Sequence, residues 1–373
     1  MSKKSILITG GAGFVGSHIA DALLKQGHEV RVFDNLTPQV HATGFPDYLN
    51  REVEFLRGDM RDPEAVERAV KGADVIFHEA AAVGVGQSMY EIEHYMGSNT
   101  QGTAVLLQVL LNLKVPVEKL ILASSMSIYG EGRYECPNCA EVAPAPRPNA
   151  QLKAKEWEAR CPNCAAELKP LPTREDKPLQ ATSIYALSKK DQEEMCLLFG
   201  RTYGLPVVAL RYFNIYGTRQ ALSNPYTGVA AIFASRLLND RAPMIFEDGE
   251  QMRDFVSVHD VVQANLLAMT NSGADGRALN IGSGQPITIR QVAMALTQEL
   301  GKTTPSDITG QFRLGDIRHC FADITAAKKL LGYEPKYSFN AGVAELVGWL
   351  RSQNAVDRGA EMLSQLKTYG LSA

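Results

Sequence analysis

The stretch ITGGAGFVGSH, residues 8–18, constrains the fold of this chain more than any other part of the sequence. It places Gly10, Gly13 and Gly16 directly after a short apolar run and at the start of an amphipathic helical pattern. Glycines at this spacing allow a tight turn and let backbone N–H groups approach a pyrophosphate, which a helix N-terminus favours. The stretch therefore predicts a strand, turn and helix that bind a dinucleotide.

Apolar runs and helical patterns continue to alternate through the first half of the chain. Gly27 is placed to end the first helix and Pro63 to begin the second. Apolar strands separated by helices indicate a parallel sheet that is covered on both faces. We therefore expect an α/β fold with a doubly wound parallel sheet of the Rossmann type over residues 1–215. The predicted strands are ILITG, EVRVFD, VEFLRG, ADVIFHEA, KLILASS and PVVALRYF.

The sequence changes character beyond Tyr216, where glycine, proline and asparagine become frequent. The stretch ALNIGSGQPITI predicts a strand, a turn and a second strand. We expect residues 216–373 to form a smaller C-terminal α/β domain that binds the substrate. Its cleft should face the carboxyl ends of the sheet strands, where ligands of such folds bind.

Charge and hydropathy argue against several classes of partner. The 373-residue chain has a formal net charge of -3 and no run of lysine and arginine, which disfavours a nucleic-acid partner. No apolar stretch approaches the roughly 18 residues of a membrane span. The first predicted strand begins at Ser5, which leaves no room for a signal peptide. We expect a cytoplasmic protein with a small-molecule substrate and no membrane partner.

Two aspartates bear on the identity of the dinucleotide. Asp34 closes the second predicted strand, where a carboxylate accepts hydrogen bonds from the adenosine ribose and would repel a 2′-phosphate. The sequence therefore favours NAD over NADP. Asp59, in RGDM at the end of the third predicted strand, could contact the adenine or simply form a turn.

A candidate catalytic group lies in SIYALSKKDQEE, where Tyr185 and Lys189 share one helix face. An ammonium beside a phenol favours the phenolate, so the pKa of Tyr185 is expected to fall and Tyr185 becomes a candidate general base. The fifth predicted strand ends in LASSMSIYG, which puts Ser125 and Ser127 at the same edge of the sheet. A hydroxyl there can relay a proton, with loop hydrogen bonding as the alternative role.

Two CPNC tetrads lie between Ser125 and Tyr185, inside an insertion at residues 131–178 that is rich in proline, alanine and charge. Paired knuckles of this kind, here over residues 134–168, are characteristic of a zinc ribbon, in which four thiolates close a structural site. Zinc would supply folding energy to a segment too small to bury a core of its own. A redox or disulfide pair and an unliganded loop are the alternatives. The predicted ligands are Cys136, Cys139, Cys161 and Cys164.

These motifs together resemble the extended short-chain dehydrogenase/reductases of the nucleotide-sugar epimerase/dehydratase type. The resemblance runs from Ile6 to about Pro335, interrupted by the insertion, through TGGAGFVG, DNL, HEAAAVGV, SSMSIYG, YALSK, RYFNIYG, RDFVSVHD, NIGSG and GDIRH. It implies that Tyr185 is the base, Lys189 its partner and Ser125 the hydroxyl relay. One departure is Glu79, where the family usually has an apolar residue.

The same resemblance implies further ligand contacts. Near the cofactor it implies Phe14, Val15, Asn35, Met60 and Ala80. Toward the nucleotide sugar it implies Ser88 and Asn99 near the sugar, Asn214 at the diphosphate, and Arg253 and Arg318 as the guanidinium groups that hold the diphosphate or nucleotide. For the two arginines, a surface ion pair is the alternative.

Departures from the family pattern point to one reaction. The 4,6-dehydratases that this chain resembles carry an Asp-Glu pair after the hydroxyl residue, where this chain has Met126 and Ser127. The decarboxylases place a glutamate at the Ser127 position, and Asp34 disfavours the NADPH-dependent reductases. What remains is NAD-dependent 4-epimerisation, in which the hydride removed from C4 returns to the opposite face.

The sugar is indicated only by likeness. Residues 80–92, 123–132 and 219–249 most resemble dTDP-L-rhamnose 4-epimerases, which form dTDP-6-deoxy-L-talose. A UDP-hexose or UDP-glucuronate 4-epimerase is the alternative, and a non-catalytic NAD-sensing regulator is an alternative of another class. The buried helix predicted at TAVLLQVLLNL could pair with the Tyr185 helix across a homodimer interface.

Overall fold

The computed structural model describes residues 2–42, 44–114, 116–353 and 355–372. In chain order its strands are β1 (Ser5–Thr9), β2 (Glu29–Asp34), β3 (Glu54–Arg57), β4 (Val75–His78), β5 (Lys119–Ser125), β6 (Arg133–Cys136), β7 (Ala140–Val142), β8 (Lys169–Leu171), β9 (Val207–Tyr212), β10 (Asn214–Tyr216), β11 (Met244–Ile245), β12 (Met252–Ser257), β13 (Arg277–Ile281), β14 (Pro286–Thr288), β15 (Asp307–Ile308) and β16 (His319–Cys320).

The α-helices are, in the same order, α1 (Phe14–Lys25), α2 (Pro63–Val70), α3 (Val85–Ser88), α4 (Ile92–Tyr95), α5 (Gly102–Leu113), α6 (Asn149–Lys153), α7 (Ile184–Tyr203), α8 (Val229–Leu238), α9 (Val258–Thr270), α10 (Ile289–Glu299), α11 (Thr325–Leu331), α12 (Phe339–Leu350) and α13 (Gly359–Thr368). A π-helical segment, Met96–Gln101, leads into α5, and short 3₁₀ turns occupy Met126–Tyr129 and Ser272–Ala274.

The main sheet confirms the predicted doubly wound architecture. Its seven strands run in the order β13-β9-β5-β4-β1-β2-β3, and every pairing is parallel. The strand order reverses between β1 and β4, which is the switch point where such sheets bind ligands. All six predicted strands are present. β5 is buried along its whole length, as expected of a central strand covered on both faces.

Helices cover both faces of the sheet because each carries one apolar side. α1 and α9 pack on one face, around a core that includes Ile19, Leu23 and Val261. α2, α5 and α7 pack on the other face, around Val66, Leu106 and Cys196. The two sequence signals for helix ends are confirmed. Pro63 is the first residue of α2, with Asp62 as its N-cap, and α1 ends at Lys25, shortly before Gly27.

The C-terminal part of the chain adds a smaller unit. β10, β12, β14 and β16 form a second sheet, and α8, α10 and α12 pack around a separate apolar core. The stretch predicted as strand, turn and strand does contain two strands, but they do not pair with each other: β13 joins the main sheet and β14 joins β12. The division of the chain into two domains at residue 215 remains a prediction. β13 lies beyond that residue although it belongs to the main sheet.

The insertion forms an element of its own. β6 is the centre of a three-stranded antiparallel sheet, between β7 and β8. Its apolar core is small and consists of Tyr134, Cys136, Ala159, Cys161 and Leu168, with Cys139, Val142 and Ala166 packed against it. Among the described residues, no helix has both the length and the apolar character needed to cross a membrane.

Candidate active site

The glycine loop between β1 and α1 has the geometry that a pyrophosphate requires. Gly10 adopts a φ of +68°, and a Cβ there would lie 2.7 Å from the Cα of Ala80. A Cβ on Gly16 would lie 2.6 Å from the Gly10 carbonyl oxygen. Gly13 is the N-cap of α1 and offers no side chain to its N–H groups. The first turn of α1 is therefore open to an anionic group, with Phe14 and Val15 beside it.

Asp34 lies at the end of β2 with both carboxylate oxygens partly engaged. Oδ2 accepts from the backbone N–H of Ala12 at 3.1 Å, and Oδ1 accepts from that of Leu36 at 2.9 Å. Burial raises the pKa of Asp34, and these N–H groups oppose the rise. Each oxygen still has a lone pair that could accept a ribose hydroxyl, so the geometry fits the predicted role.

The carboxylate of Asp59 is occupied by hydrogen bonds from neighbouring protein groups. It accepts from the guanidinium of Arg61 at 2.8 and 2.9 Å and from the amide of Asn35 at 3.3 Å, and the hydrogen bonds from Arg61 hold the pKa of Asp59 at about 2. The backbone N–H of Arg61 also donates to it. This arrangement supports the turn-forming alternative. The neighbouring Met60 is buried against Gly102.

Tyr185 and Ser125 come together at the carboxyl edge of the sheet. Ser125 ends β5, and Tyr185 is buried in the first turn of α7, which Ser183 caps. Burial raises the pKa of Tyr185, and a hydrogen bond with Ser125 lowers it by less. Ser127 donates to Ser125 Oγ from its hydroxyl at 2.9 Å and its backbone N–H at 3.2 Å. Ser125 Oγ thus accepts twice from Ser127 and keeps its own hydrogen for donation.

The ammonium group of Lys189 binds acceptors on β5 and on its own helix. It donates to the carbonyl of Ala123 on β5 and to the amide oxygen of Gln192 at 2.8 Å. Burial lowers the pKa of Lys189 to about 8. The expectation that Lys189 lowers the pKa of Tyr185 stays a prediction; in the structure the ammonium ties α7 to β5, and burial sets the direction of the shift at the phenol.

Ser88 and Asn99 are fully buried, and protein groups use their polar atoms. Ser88 accepts from the backbone N–H of Tyr185 at 3.0 Å and donates to Val85. Asn99 exchanges two hydrogen bonds with the backbone of Ala82 and donates to Ser188. Sugar contact was expected of both. The structure instead has them anchor α7 and the segment after β4, and we propose a positioning role for each.

The side chains predicted to hold the diphosphate differ in how many of their hydrogen-bonding atoms are already used by protein groups. Asn214 begins β10, and its buried Oδ1 has no hydrogen-bond partner among the described residues. Arg253 donates three hydrogen bonds, to the carbonyls of Met252, Ile317 and Arg318. Its Nε and one Nη2 hydrogen are left over for a ligand. Both residues therefore fit their predicted roles.

Arg318 does not fit its predicted role. Its side chain is 1% exposed, and all five of its N–H groups point at carboxylates of Glu158, Glu247 and Asp248, at 2.6 to 3.0 Å. Because no donor remains, Arg318 has nothing to offer a diphosphate. The alternative of an ion pair is the better description, although the pair is buried rather than on the surface.

Glu79 follows β4, and its backbone lies against Gly10 of the cofactor loop. Asn265 donates to the hydroxyl of Tyr212 at 2.8 Å, and Tyr212 donates to Glu79 at 2.9 Å. Burial raises the pKa of Glu79 from 4.5 to about 7. The sequence marked Glu79 only as a departure from the family, and nothing in the motifs indicated Tyr212 or Asn265 as its partners.

The two CPNC tetrads converge, as predicted. The sulfur atoms of Cys136, Cys139, Cys161 and Cys164 all lie within 4.8 Å of one another, and those of Cys136 and Cys164 are 3.5 Å apart. These residues are called the four-cysteine cluster below. A tetrahedral zinc with bonds of about 2.3 Å keeps its sulfur ligands about 3.8 Å apart. A disulfide needs about 2.05 Å, and the cysteines are unpaired.

Comparisons with known proteins agree with this geometry. The sequence profile of the NAD dependent epimerase/dehydratase family matches residues 6–151 and 162–282. A dTDP-L-rhamnose 4-epimerase of Burkholderia thailandensis is 33% identical over 354 residues, which cover 94% of this chain and 96% of that protein.

Two solved structures carry a related fold. The UDP-glucose 4-epimerase of Thermus thermophilus, in complex with NAD, has a TM-score of 0.74 and 31% identity, over 94% of this chain and 100% of that one. The UDP-glucuronic acid 4-epimerase of Bacillus cereus, in complex with UDP-glucuronic acid and NAD, has a TM-score of 0.77 and 26% identity, over 93% and 99%.

The raised pKa of Glu79 makes stability depend on pH in a definite direction. The folded state binds the Glu79 proton more tightly than the unfolded chain does, so folding becomes less favourable as the pH rises from about 4.5 to about 7. Glu79→Gln copies the protonated form. We expect it to match the wild type at pH 4 and to be more stable by about 3 kcal/mol at pH 8.

Thermal unfolding of both proteins across this pH range measures the effect. Glu52→Gln, a change at an exposed turn, is the matched control and should follow the wild type at every pH. A Glu79→Gln protein whose unfolding midpoint keeps a constant offset from the wild type would contradict the assignment.

Proposed function

We propose that this chain, which belongs to the NAD dependent epimerase/dehydratase family and is an NAD-dependent nucleotide-sugar 4-epimerase, converts dTDP-L-rhamnose to dTDP-6-deoxy-L-talose. The likeness to the Burkholderia thailandensis enzyme along almost the whole chain supports this sugar. UDP-hexoses and UDP-glucuronate are the second candidates, since the Thermus and Bacillus enzymes carry those substrates in their names.

One observation carries the reaction type. Ser125 reaches Tyr185, but the two residues that follow it, Met126 and Ser127, have no carboxylate. Met126 is buried and apolar, and Ser127 is occupied as a donor to Ser125. At the two positions after Ser125, where the dehydratases and decarboxylases of the resemblance carry carboxylates, the site thus offers no acid or base for elimination or decarboxylation.

The roles of the residues follow from their contacts. NAD, when bound, supplies the acceptor and donor of the C4 hydride. The open first turn of α1 would hold its pyrophosphate, and Asp34 would hold its adenosine ribose. Tyr185 would take the proton of the C4 hydroxyl through Ser125 and return it after the sugar has turned. Lys189 would hold α7 against β5, and Arg253 with Asn214 would keep the diphosphate in place.

We further propose that the four-cysteine cluster binds one structural zinc ion. The convergence of four thiols at near-tetrahedral spacing supports a closed site, with no position for substrate. The small apolar core of the insertion supports a need for metal, because besides two buried cysteines it contains only Tyr134, Ala159 and Leu168 as buried members.

A homodimer is the oligomeric state that we propose. α5 and α7 lie side by side on one face of the sheet and expose large apolar side chains away from it. These side chains are Leu111, Leu113, Leu187 and Leu198, each at least 38% exposed. Two such helix pairs would bury them in a four-helix interface.

Tyr185→Phe tests the proton route. Loss of a general base lowers turnover by about 10²–10⁴-fold, and the effect should fall on kcat because the ring still fills its buried place. The measurement is steady-state epimerisation, with binding of the nucleotide sugar as a separate readout. Tyr203→Phe, at the exposed end of the same helix, is the control. Near-normal turnover in Tyr185→Phe would remove Tyr185 from the mechanism.

A panel of nucleotide sugars tests the substrate. Incubation of the purified protein with dTDP-L-rhamnose, UDP-glucose and UDP-glucuronate, without added cofactor, should show the fastest epimerisation with dTDP-L-rhamnose. Deuterium at C4 should remain at C4 in the product, because the hydride is returned directly. Faster turnover of a UDP sugar would establish the second candidate, and loss of the label to water would contradict 4-epimerisation.

Metal analysis tests the four-cysteine cluster. Protein prepared in demetallated buffers should contain about one zinc per chain, since four thiolates complete one site. Cys161→Ser should lose the metal, whereas Cys196→Ala, outside the cluster in α7, should keep it. A folded wild-type protein without bound metal, or with four freely reactive thiols in the tetrads, would exclude zinc.

A further inference from the structure

The insertion does more than carry the four-cysteine cluster, because its charged side chains hold a loop of the C-terminal domain. This loop, residues 313–319, is called the arginine loop below. Glu131, where the insertion begins, accepts from the backbone N–H groups of Arg318 and His319 at 2.7 and 3.2 Å. Arg147 donates to the carbonyl of Asp316 at 3.0 Å. The insertion therefore fixes the backbone of the arginine loop directly.

Glu158 binds the side chains of two residues of this loop. One carboxylate oxygen accepts from Arg318 Nη2 at 2.6 Å and from its Nε at 2.9 Å. The other accepts from Nε2 of His319 at 2.9 Å. Because Nδ1 of His319 accepts from the backbone N–H of Met252, Nε2 carries the ring hydrogen even in the neutral form. Glu158 thus satisfies two side chains of the loop at once.

The same network continues to Glu247 in the C-terminal part of the chain. Arg147 forms a two-bond ion pair with Glu247 at 2.8 and 3.0 Å, and Glu247 also pairs with Arg318. Arg147, Glu247 and Arg318 have side chains at most 3% exposed. Buried charges of this kind are costly when one partner is missing. Removal of a single partner would therefore displace the others rather than leave them in place.

On its other side the arginine loop lies against the candidate active site. Thr182, three residues before Tyr185, donates to the carbonyl of Gly315 at 3.1 Å. The guanidinium of Arg253 is oriented by the carbonyls of Ile317 and Arg318. β12, which carries Arg253, pairs with β10 at Asn214. Any shift of the loop would therefore move the group predicted to hold the diphosphate.

Glu158 in turn depends on the second CPNC knuckle. It lies three residues before Cys161, at the base of a hairpin closed by hydrogen bonds between Leu168 and Ala159 and between Cys161 and Ala166. The side chain of Gln151 and the guanidinium of Arg147 hold the backbone of residues 156–158 from the other side. The position of Glu158 is thus set by the fold of the segment that carries the four-cysteine cluster.

We propose that the insertion is a metal-dependent clamp on the nucleotide-sugar site, in which Glu158 and Arg147 are positioning residues for Arg253 and the arginine loop. The proposal rests on the proposed function, since it assumes that the cleft binds a nucleoside diphosphate sugar. It predicts that metal at the four-cysteine cluster tightens nucleotide binding and, by linkage, that bound nucleotide tightens metal retention.

Glu158→Gln tests the clamp, because it keeps the shape of the side chain and removes its charge. We expect the KM for the nucleotide sugar and the Kd for dTDP to rise about tenfold, as for loss of a charge-assisted contact to the buried Arg318. kcat and the NAD content should change by less than about twofold, since Tyr185, Ser125 and the glycine loop lie outside the network. Glu156→Gln is the matched control, because Glu156 is exposed and pairs only with Arg160 among the described residues.

Calorimetric titration with dTDP and with UDP distinguishes a failure of the proposed function from a failure of the clamp. A wild type that binds neither diphosphate would overturn the proposed function. A wild type that binds one of them, with Glu158→Gln binding it equally well, would overturn the clamp alone. Loss of NAD together with nucleotide in Glu158→Gln would also overturn it, because general unfolding would then explain the weaker binding.

Metal release gives a second readout that does not depend on catalysis. Transfer of zinc from the wild-type protein to a chromophoric chelator should slow severalfold when dTDP is saturating. The same dTDP should have no such effect on the metal of Glu158→Gln. If calorimetry shows that UDP binds in place of dTDP, UDP is used here, and equal release rates with and without the diphosphate that binds would overturn the coupling between the four-cysteine cluster and the nucleotide-sugar site.

Discussion

Parallel pairing of β1, β4, β5 and β9 is the constraint on which the site depends. Because the four strands run the same way, their carboxyl ends meet at one edge, and the groups that the reaction needs lie at that edge. The glycine loop follows β1, Ser125 ends β5 and Asn214 follows β9. Gly10 lies in close contact with the backbone after β4, and this contact fixes β1 and β4 relative to each other.

The insertion adds a second constraint at the same edge. It leaves the sheet just after Ser125 and returns just before Tyr185, so its internal fold is joined to both ends of the proton route. Its contacts with the arginine loop combine hydrogen bonds from Glu131 and Arg147 to backbone groups with the ion pairs of the partly exposed Glu158. A metal ion bound here would hold the insertion in place and take no part in the reaction. Four cysteine ligands fit this role, because they leave no coordination position open.

Several predicted roles changed because side chains have partners that are distant in sequence. Arg318 was expected at the diphosphate, but its carboxylate partners lie 70 to 160 residues away. Lys189 was expected beside a phenol, but the nearest acceptors are a carbonyl of β5 and an amide one turn along its own helix. Ser88 and Asn99 were expected at the sugar, but they bind backbone atoms of neighbouring segments.

The sequence by itself determined the fold class, the glycine loop, Asp34, the pair of Tyr185 and Ser125, and the four cysteines. Each of these depends on a local sequence pattern or on the direction of the strands. Short stretches of the chain are enough to predict either one. Only the tertiary structure decided which carboxylates meet Arg318, where Lys189 points, and that the insertion grips the arginine loop. Those contacts depend on which segments are brought together, and a guanidinium or an ammonium binds any suitable acceptor that packing places within reach.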